Sequence, residues 1–167
     1  MFSPAVVESM LTPSFFKALQ AVEVWQAQSD DSSEQEWRLF RLGKCPGITY
    51  PQFVLAVWLS ISHPRLMRDL AELAGVPVNR KKGRGTLEAS KDTFLTAVDA
   101  LRPTAINPGD FAKGFLGISK NIPGHPFLSR NWADFTQGEI LLDKWDCLVV
   151  VAECEHEFVS YYWTTTA

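Results

Sequence analysis

The sequence predicts an α+β fold: five or six helices around a buried central helix at about residues 50–60, closed by a C-terminal three-stranded antiparallel meander. Three observations lead there. The run Phe53-Val54-Leu55-Ala56-Val57-Trp58-Leu59 is apolar on every helical face, as in a helix buried all round. Helix-start and helix-stop residues punctuate the first two thirds of the chain. The last forty residues turn to β-branched and aromatic residues between charged turns.

The elements follow in order. Ser3-Pro4 and Thr12-Pro13 each set a capping hydroxyl before a proline at the first helical position, where its missing N–H costs nothing. After Thr12, the residues Phe15, Phe16, Leu19, Val22 and Trp25 recur at helical spacing. Gln28 to Ser33 is a polar loop. Ser33 with Glu36 forms a capping box and Gly43 a stop, which frames a helix carrying Trp37 and Phe40. Thr49 with Gln52 is a second capping box and opens the central helix. Ser62-His63-Pro64 starts a helix with Leu66, Leu70 and Leu73 inward, stopped at Gly75-Val76-Pro77.

Thr86 can cap a helix that runs to about Leu101 on a stripe of Leu87, Phe94, Leu95, Val98 and Leu101. Asn107-Pro108-Gly109-Asp110 opens a shorter helix bearing Phe111, Phe115 and Leu116. The Pro- and Gly-rich text from Ile118 to Arg130 predicts an ordered loop. Ile140 to Leu142, Cys147 to Ala152 and Phe158 to Thr165 predict the three strands. The apolar run Leu148-Val149-Val150-Val151 marks one of them as buried on both faces.

Bulk composition bounds the class. With 167 residues the chain is read as one globular domain spanning 1–167, large enough to bury roughly 70% of its unfolded surface. Apolar residues make up 46% and charged residues 21%, ordinary globular usage, and the six Trp and eleven Phe imply a substantial core. The longest apolar run is seven residues, too short to cross a membrane, and Met1-Phe2-Ser3-Pro4 lacks the basic start of a secretory signal. Cys45, Cys147 and Cys154 form no Cys-x-x-Cys pair, which predicts a reducing, cytoplasmic setting.

Charge is unevenly placed. His63 to Lys91 holds seven of the sixteen Lys and Arg residues and sums to about +4 in a chain of net −3. Within it, Arg80, Lys81, Lys82 and Arg84 precede the helix that Thr86 begins, with Gly83 and Gly85 free to turn the backbone. Helix-start N–H groups beside such cations suit phosphate, nucleic acid or an acidic protein face; the plainer reading is a solvated charged loop. Residues 131 to 167 carry seven acids against Lys144 alone.

The stretch Asp69-Leu70-Ala71-Glu72-Leu73-Ala74-Gly75-Val76 resembles the first helix and turn of helix-turn-helix repressors of the lactose-repressor type. That resemblance implies a following DNA-reading helix. The sequence departs from the pattern there: Pro77 stands at the capping position, Lys81 at a core position, and Gly83 and Gly85 interrupt the would-be helix.

Cys154 and His156, two apart, would share one side of a strand and invite metal or Cys–His chemistry, but neither His63 nor His125 supplies an evident further ligand. A turn between strands is the simpler expectation. Asn121 to Phe127, with His125, reads as a lid or as a structural connector. The acids Glu153, Glu155 and Glu157 interleave with Trp145, Tyr161 and Trp163, a pattern suited to a basic protein partner: rings anchor and carboxylates steer.

No pattern specifies a catalytic set, a cofactor or a metal. The sequence therefore predicts a non-enzymatic binding protein that inhibits, neutralises or adapts a partner protein through Trp145, Glu153, Glu155, Glu157, Tyr161 and Trp163. The alternatives are nucleic-acid binding through Arg80, Lys81, Lys82 and Arg84, and an enzyme of unassigned chemistry.

Overall fold

Helical and extended segments alternate along the chain in a way that local spacing only half predicts. The computed structural model describes residues 3–29, 34–73, 75, 87–127 and 130–165. Its contacts gather into two units. One comprises Met1–Ala21 and Cys45–Arg102, the other Val22–Lys44 and Pro103–Ala167.

The first unit is helical: α1 (Pro4–Met10), α2 (Pro13–Leu19), α3 (Tyr50–Ser62), α4 (Pro64–Leu73) and α5 (Leu87–Asp99). Thr12 caps α2 by accepting the Phe15 N–H at 3.2 Å. At the start of α3 the Gln52 side chain accepts the Thr49 N–H at 2.9 Å, the reach-back of a capping box. Tyr50, Phe53, Val54, Leu55, Ala56, Val57 and Leu59 of α3 are all buried, so the predicted central helix is found with its apolar surface withdrawn on every side. Burying each such large side chain contributes about 1.5–3 kcal/mol.

The second unit holds β1 (Glu23–Gln28), β2 (Glu36–Gly43), β3 (Thr104–Ala105), α6 (Pro108–Ser119), β4 (Phe135–Lys144), β5 (Cys147–Cys154) and β6 (Glu157–Thr164). The strands form one antiparallel sheet in the order β1-β2-β6-β5-β4-β3. β4, β5 and β6 are the predicted meander, joined by two-residue connections at Trp145-Asp146 and Glu155-His156.

The expectation of a helical core closed by three strands is overturned: the sheet has six, and three of them lie outside the meander. The helix expected through Val22 and Trp25 stops at Leu19, and Trp25 belongs to β1. The helix expected between the Ser33 cap and the Gly43 stop is, from Glu36 on, the strand β2. The physical reason lies in the pleat. Trp37, Leu39 and Arg41 point to one face, and Arg38, Phe40 and Leu42 to the other. Each face mixes apolar and charged groups, so no clean alternation survives, while the three-residue step from Trp37 to Phe40 mimics a helix. Pairing with β6, more than a hundred residues along the chain, decides the matter: Leu39 lies opposite Tyr161 and Phe40 opposite Ser160.

One face of the sheet carries α6. Phe111 and Phe115 of α6, with Ile122 and Phe127 of the following loop, pack on Leu39, Val150, Ala152, Val159 and Tyr161. The rings around Phe111 meet it edge-on or tilted, as aromatic quadrupoles favour: Phe111 to Tyr161 is 5.3 Å and Phe111 to Trp132 is 4.9 Å between centroids. α6 approaches β6 closely because position 114 is glycine. A Cβ there would lie 2.9 Å from Tyr161 Cζ and closer still to its hydroxyl oxygen. Tyr161 is only 2% exposed and has nowhere to retreat. Gly114→Ala is therefore expected to lower unfolding free energy by about 1–3 kcal/mol, the usual cost of overpacking, read from the urea midpoint.

Candidate functional site

The sheet's two ends differ in chemistry. At the end where β5 turns into β6, charged groups from four segments close on one another. Glu157, at the start of β6 and 5% exposed, receives Arg41 Nε from β2 and Arg130 Nη1 from the loop before β4. Arg130 also reaches Asp134 at 2.8 Å, and Arg41 reaches Glu23 of β1 at 3.4 Å. Rings fill the gaps: Arg130 Cζ stands 4.6 Å from the Trp132 centroid, while Arg41 and Arg130 lie 5.9 and 6.0 Å from that of Phe127. The chain Glu23–Arg41–Glu157–Arg130–Asp134 thus alternates in sign throughout and ties Arg130 and Asp134 to the sheet.

On the opposite face of the same end, Glu153 accepts Lys44 Nζ at 2.7 Å and Gln137 Nε2 at 2.5 Å. Burial pushes the Glu153 carboxyl up, but the Lys44 and Gln137 hydrogen bonds and the Lys44 charge outweigh it, so the carboxyl titrates below its ordinary range.

Cys154 is fully buried beneath this network. Burial and the Asp134 charge push its thiol up against the opposing pull of Arg130 and Lys44, which keeps it protonated and a poor nucleophile. His156 lies in the expected turn between strands, its side chain 83% exposed and 3.7 Å from Glu155, and Cys154 ends β5. Among the described residues no three His, Cys, Asp or Glu side chains gather to hold a metal.

His125 is 4% exposed; its Nδ1 accepts the Phe127 N–H at 3.1 Å and its ring stacks 5.9 Å from that of Phe127. With Ile122 and Phe127 also buried, the Asn121–Phe127 segment is packed onto the core as a connector. His63, at the α3–α4 junction, packs edge-on against Phe94 at 5.4 Å, and burial lowers its pKa.

The other end of the sheet is aromatic and only partly covered, with Ala27, Trp37 and Leu148 packed against the edge of the core. Ala27, Trp37, Trp163, Leu148 and Asp143 occupy successive cross-strand positions from β1 through β2, β6 and β5 to β4, all on one face. Trp37, Trp163 and Leu148 are half-buried, Asp143 is exposed, and Trp145 in the adjoining β4–β5 turn is 76% exposed.

The six residues expected to contact a partner thus separate. Trp163 lies opposite Trp37 at the aromatic end, and Trp145 is in the β4–β5 turn at that same end. Glu155 is exposed at the far end, Glu153 is held by Lys44 and Gln137, and Glu157 and Tyr161 are interior. Only cross-strand pairing with Trp163 brings Trp37 into the group, so no local pattern could have placed it there. The basic residues Arg80, Lys81, Lys82 and Arg84, and the turn from Val76 onward that would lead to a DNA-reading helix, lie outside the described residues. No helix among the described residues is long and apolar enough to cross a membrane.

No protein-family model matches the chain, and no match was found among curated proteins or solved structures.

Two outcomes test the charged end. Glu157→Gln leaves Arg130 facing a neutral amide and is expected to lower stability by about 3 kcal/mol, the lower part of the range for breaking a buried pair, because Arg41 keeps water and Glu23. Chemical denaturation measures it. Glu153 has a depressed folded-state pKa, so its contribution is present above its ordinary value of 4.5 and is lost as pH falls through the lower folded value. The pH-stability curve of Glu153→Gln should accordingly converge on that of the unsubstituted chain in acid and separate above about pH 4.5.

Proposed function

We propose that this chain is a non-enzymatic protein-binding protein that inhibits, neutralises or adapts its partner, and that it docks through the aromatic end of its sheet. One observation carries the reading: Trp145 holds 76% of its surface in water, at the sheet end that also carries the half-buried Trp163, Trp37 and Leu148. An indole is costly to expose and is the side chain that most often anchors a protein interface. Asp143 at the end of the row, opposite Leu148, adds an exposed carboxylate at the same sheet end. Lysine or arginine side chains of a partner would find both a carboxylate and ring faces there, so the partner presents a basic, partly apolar surface. At the far end Glu153 and Glu157 are already neutralised by Lys44, Arg41 and Arg130, which leaves Glu155 as the exposed acid there.

The test uses a partner captured from the source cell by the tagged chain and then purified. Trp145→Ala and Trp163→Ala are each expected to weaken its binding by about 30-fold, the effect of losing an anchor worth about 2 kcal/mol, with the thermal transition retained. Asp143→Lys should chiefly slow association and reduce its salt dependence. A folded Trp145→Ala, Trp163→Ala double variant that binds with unchanged affinity would reject this surface.

A further inference from the structure

The sheet ends at one side in β1, and β1 is an unusual edge. Native edges are blunted by lysine, proline, bulges or brevity. The opposite edge, β3, is two residues long. β1 is six residues, pairs with β2 in unbroken register, and contains neither proline nor lysine. Its one charge, Glu23, is already engaged by Arg41. Glu23, Val24, Gln26 and Gln28 are exposed, Val24 by 48%, and no strand among the described residues pairs with its outer side. The N–H and C=O groups along such an edge are complementary to another extended strand.

We infer that the occupant is a second copy of this chain, added antiparallel β1 to β1 about a two-fold axis at Gln26. The strand is self-complementary in that register. Residues on the same sheet face must meet, so positions pair when their numbers sum to 52: Gln26 with Gln26, Trp25 with Ala27, Val24 with Gln28 and Glu23 with Ser29. The largest side chain of the strand falls opposite its smallest on the α6 face, twice by symmetry. No like charges meet, and the lone carboxylate faces a hydroxyl. Shifting the centre to Trp25 would set two indoles directly opposite each other and bring Val24 against Gln26. The Gln26 register has no such crowding. Two six-residue strands bury less than the roughly 1,200 Å² at which standard interfaces begin, so the dimer is a weak one that forms with concentration. This inference is independent of the docking reading, since Trp145 and Trp163 take no part in the β1 pairing.

Charge at the two-fold centre tests it. Sedimentation velocity of the unsubstituted chain from about 1 µM to about 1 mM should show monomer passing to dimer. Gln26→Lys sets two ammonium groups opposite each other, and Gln26→Glu sets two carboxylates; each alone should dimerise at least about tenfold more weakly. Position 26 is exposed and faces Arg38 across β2, so the Glu variant in particular keeps a compatible neighbour, and far-UV circular dichroism checks folding. Mixing the two variants should restore dimer, now as a heterodimer. An unsubstituted chain that stays monomeric throughout, or variants that dimerise undiminished, would overturn the assignment.

Discussion

The pairing of β2 with β6 is the constraint on which the rest of the sheet unit depends. It joins residues 36–43 to residues 157–164 and inserts β6 between the N-terminal hairpin and the C-terminal strands. Without it the chain would carry a two-strand hairpin and a separate meander, each too small to bury a face of its own. With it, Leu39 joins Tyr161 and Val159 beneath α6, and the aromatic cluster around Phe111 and Phe115 gains a continuous floor. So long-range a closure carries a loop-entropy penalty that only the buried cluster offsets.

The same closure sorts the charges. Glu157 begins β6 opposite Gly43, the last residue of β2, which brings Arg41 within reach on the same sheet face and Arg130 from the covering loop. A carboxylate taken out of water needs such company, because an unpaired buried charge would be prohibitive. The consequence reaches function. An acidic C-terminal segment that looks like an anionic docking pole is, at Glu153 and Glu157, part of the protein's own internal wiring. What the fold leaves exposed instead is the indole of Trp145, with the half-buried Trp163 and Trp37 at the same sheet end, and the unblunted, mostly polar edge at β1. Binding energy at this end would come from ring burial, with Asp143 contributing orientation and rate.

Local signals were legible where a structure is decided locally. The capping box at Thr49 and Gln52, the Thr12-Pro13 and Asn107-Pro108 starts, and the β-branched strands after residue 140 all lie within a few residues of the groups that satisfy them. The all-apolar run at 53–59 likewise has one outcome, since no helical face of it tolerates water. Glu36 to Gly43 was illegible for a matching reason. Its two faces are both mixed, and the three-residue step from Trp37 to Phe40 fits a helix as well as a strand. Nothing within eight residues could reveal that Tyr161 and Ser160 would lie opposite Leu39 and Phe40.

The candidate site divides along the same line. The sequence by itself determined that the C-terminal segment is rich in rings and acids, that a charged turn lies between the strands around Trp145, and that another turn lies between strands at His156. Tertiary structure alone decided which rings stay in water, which acids are paired, and that Trp37 stands beside Trp163. Side-chain type and spacing follow from covalent order, whereas exposure and ion pairing depend on which distant strand arrives alongside. That arrival is governed by the cooperative burial of the whole sheet face, a property no short window of residues contains.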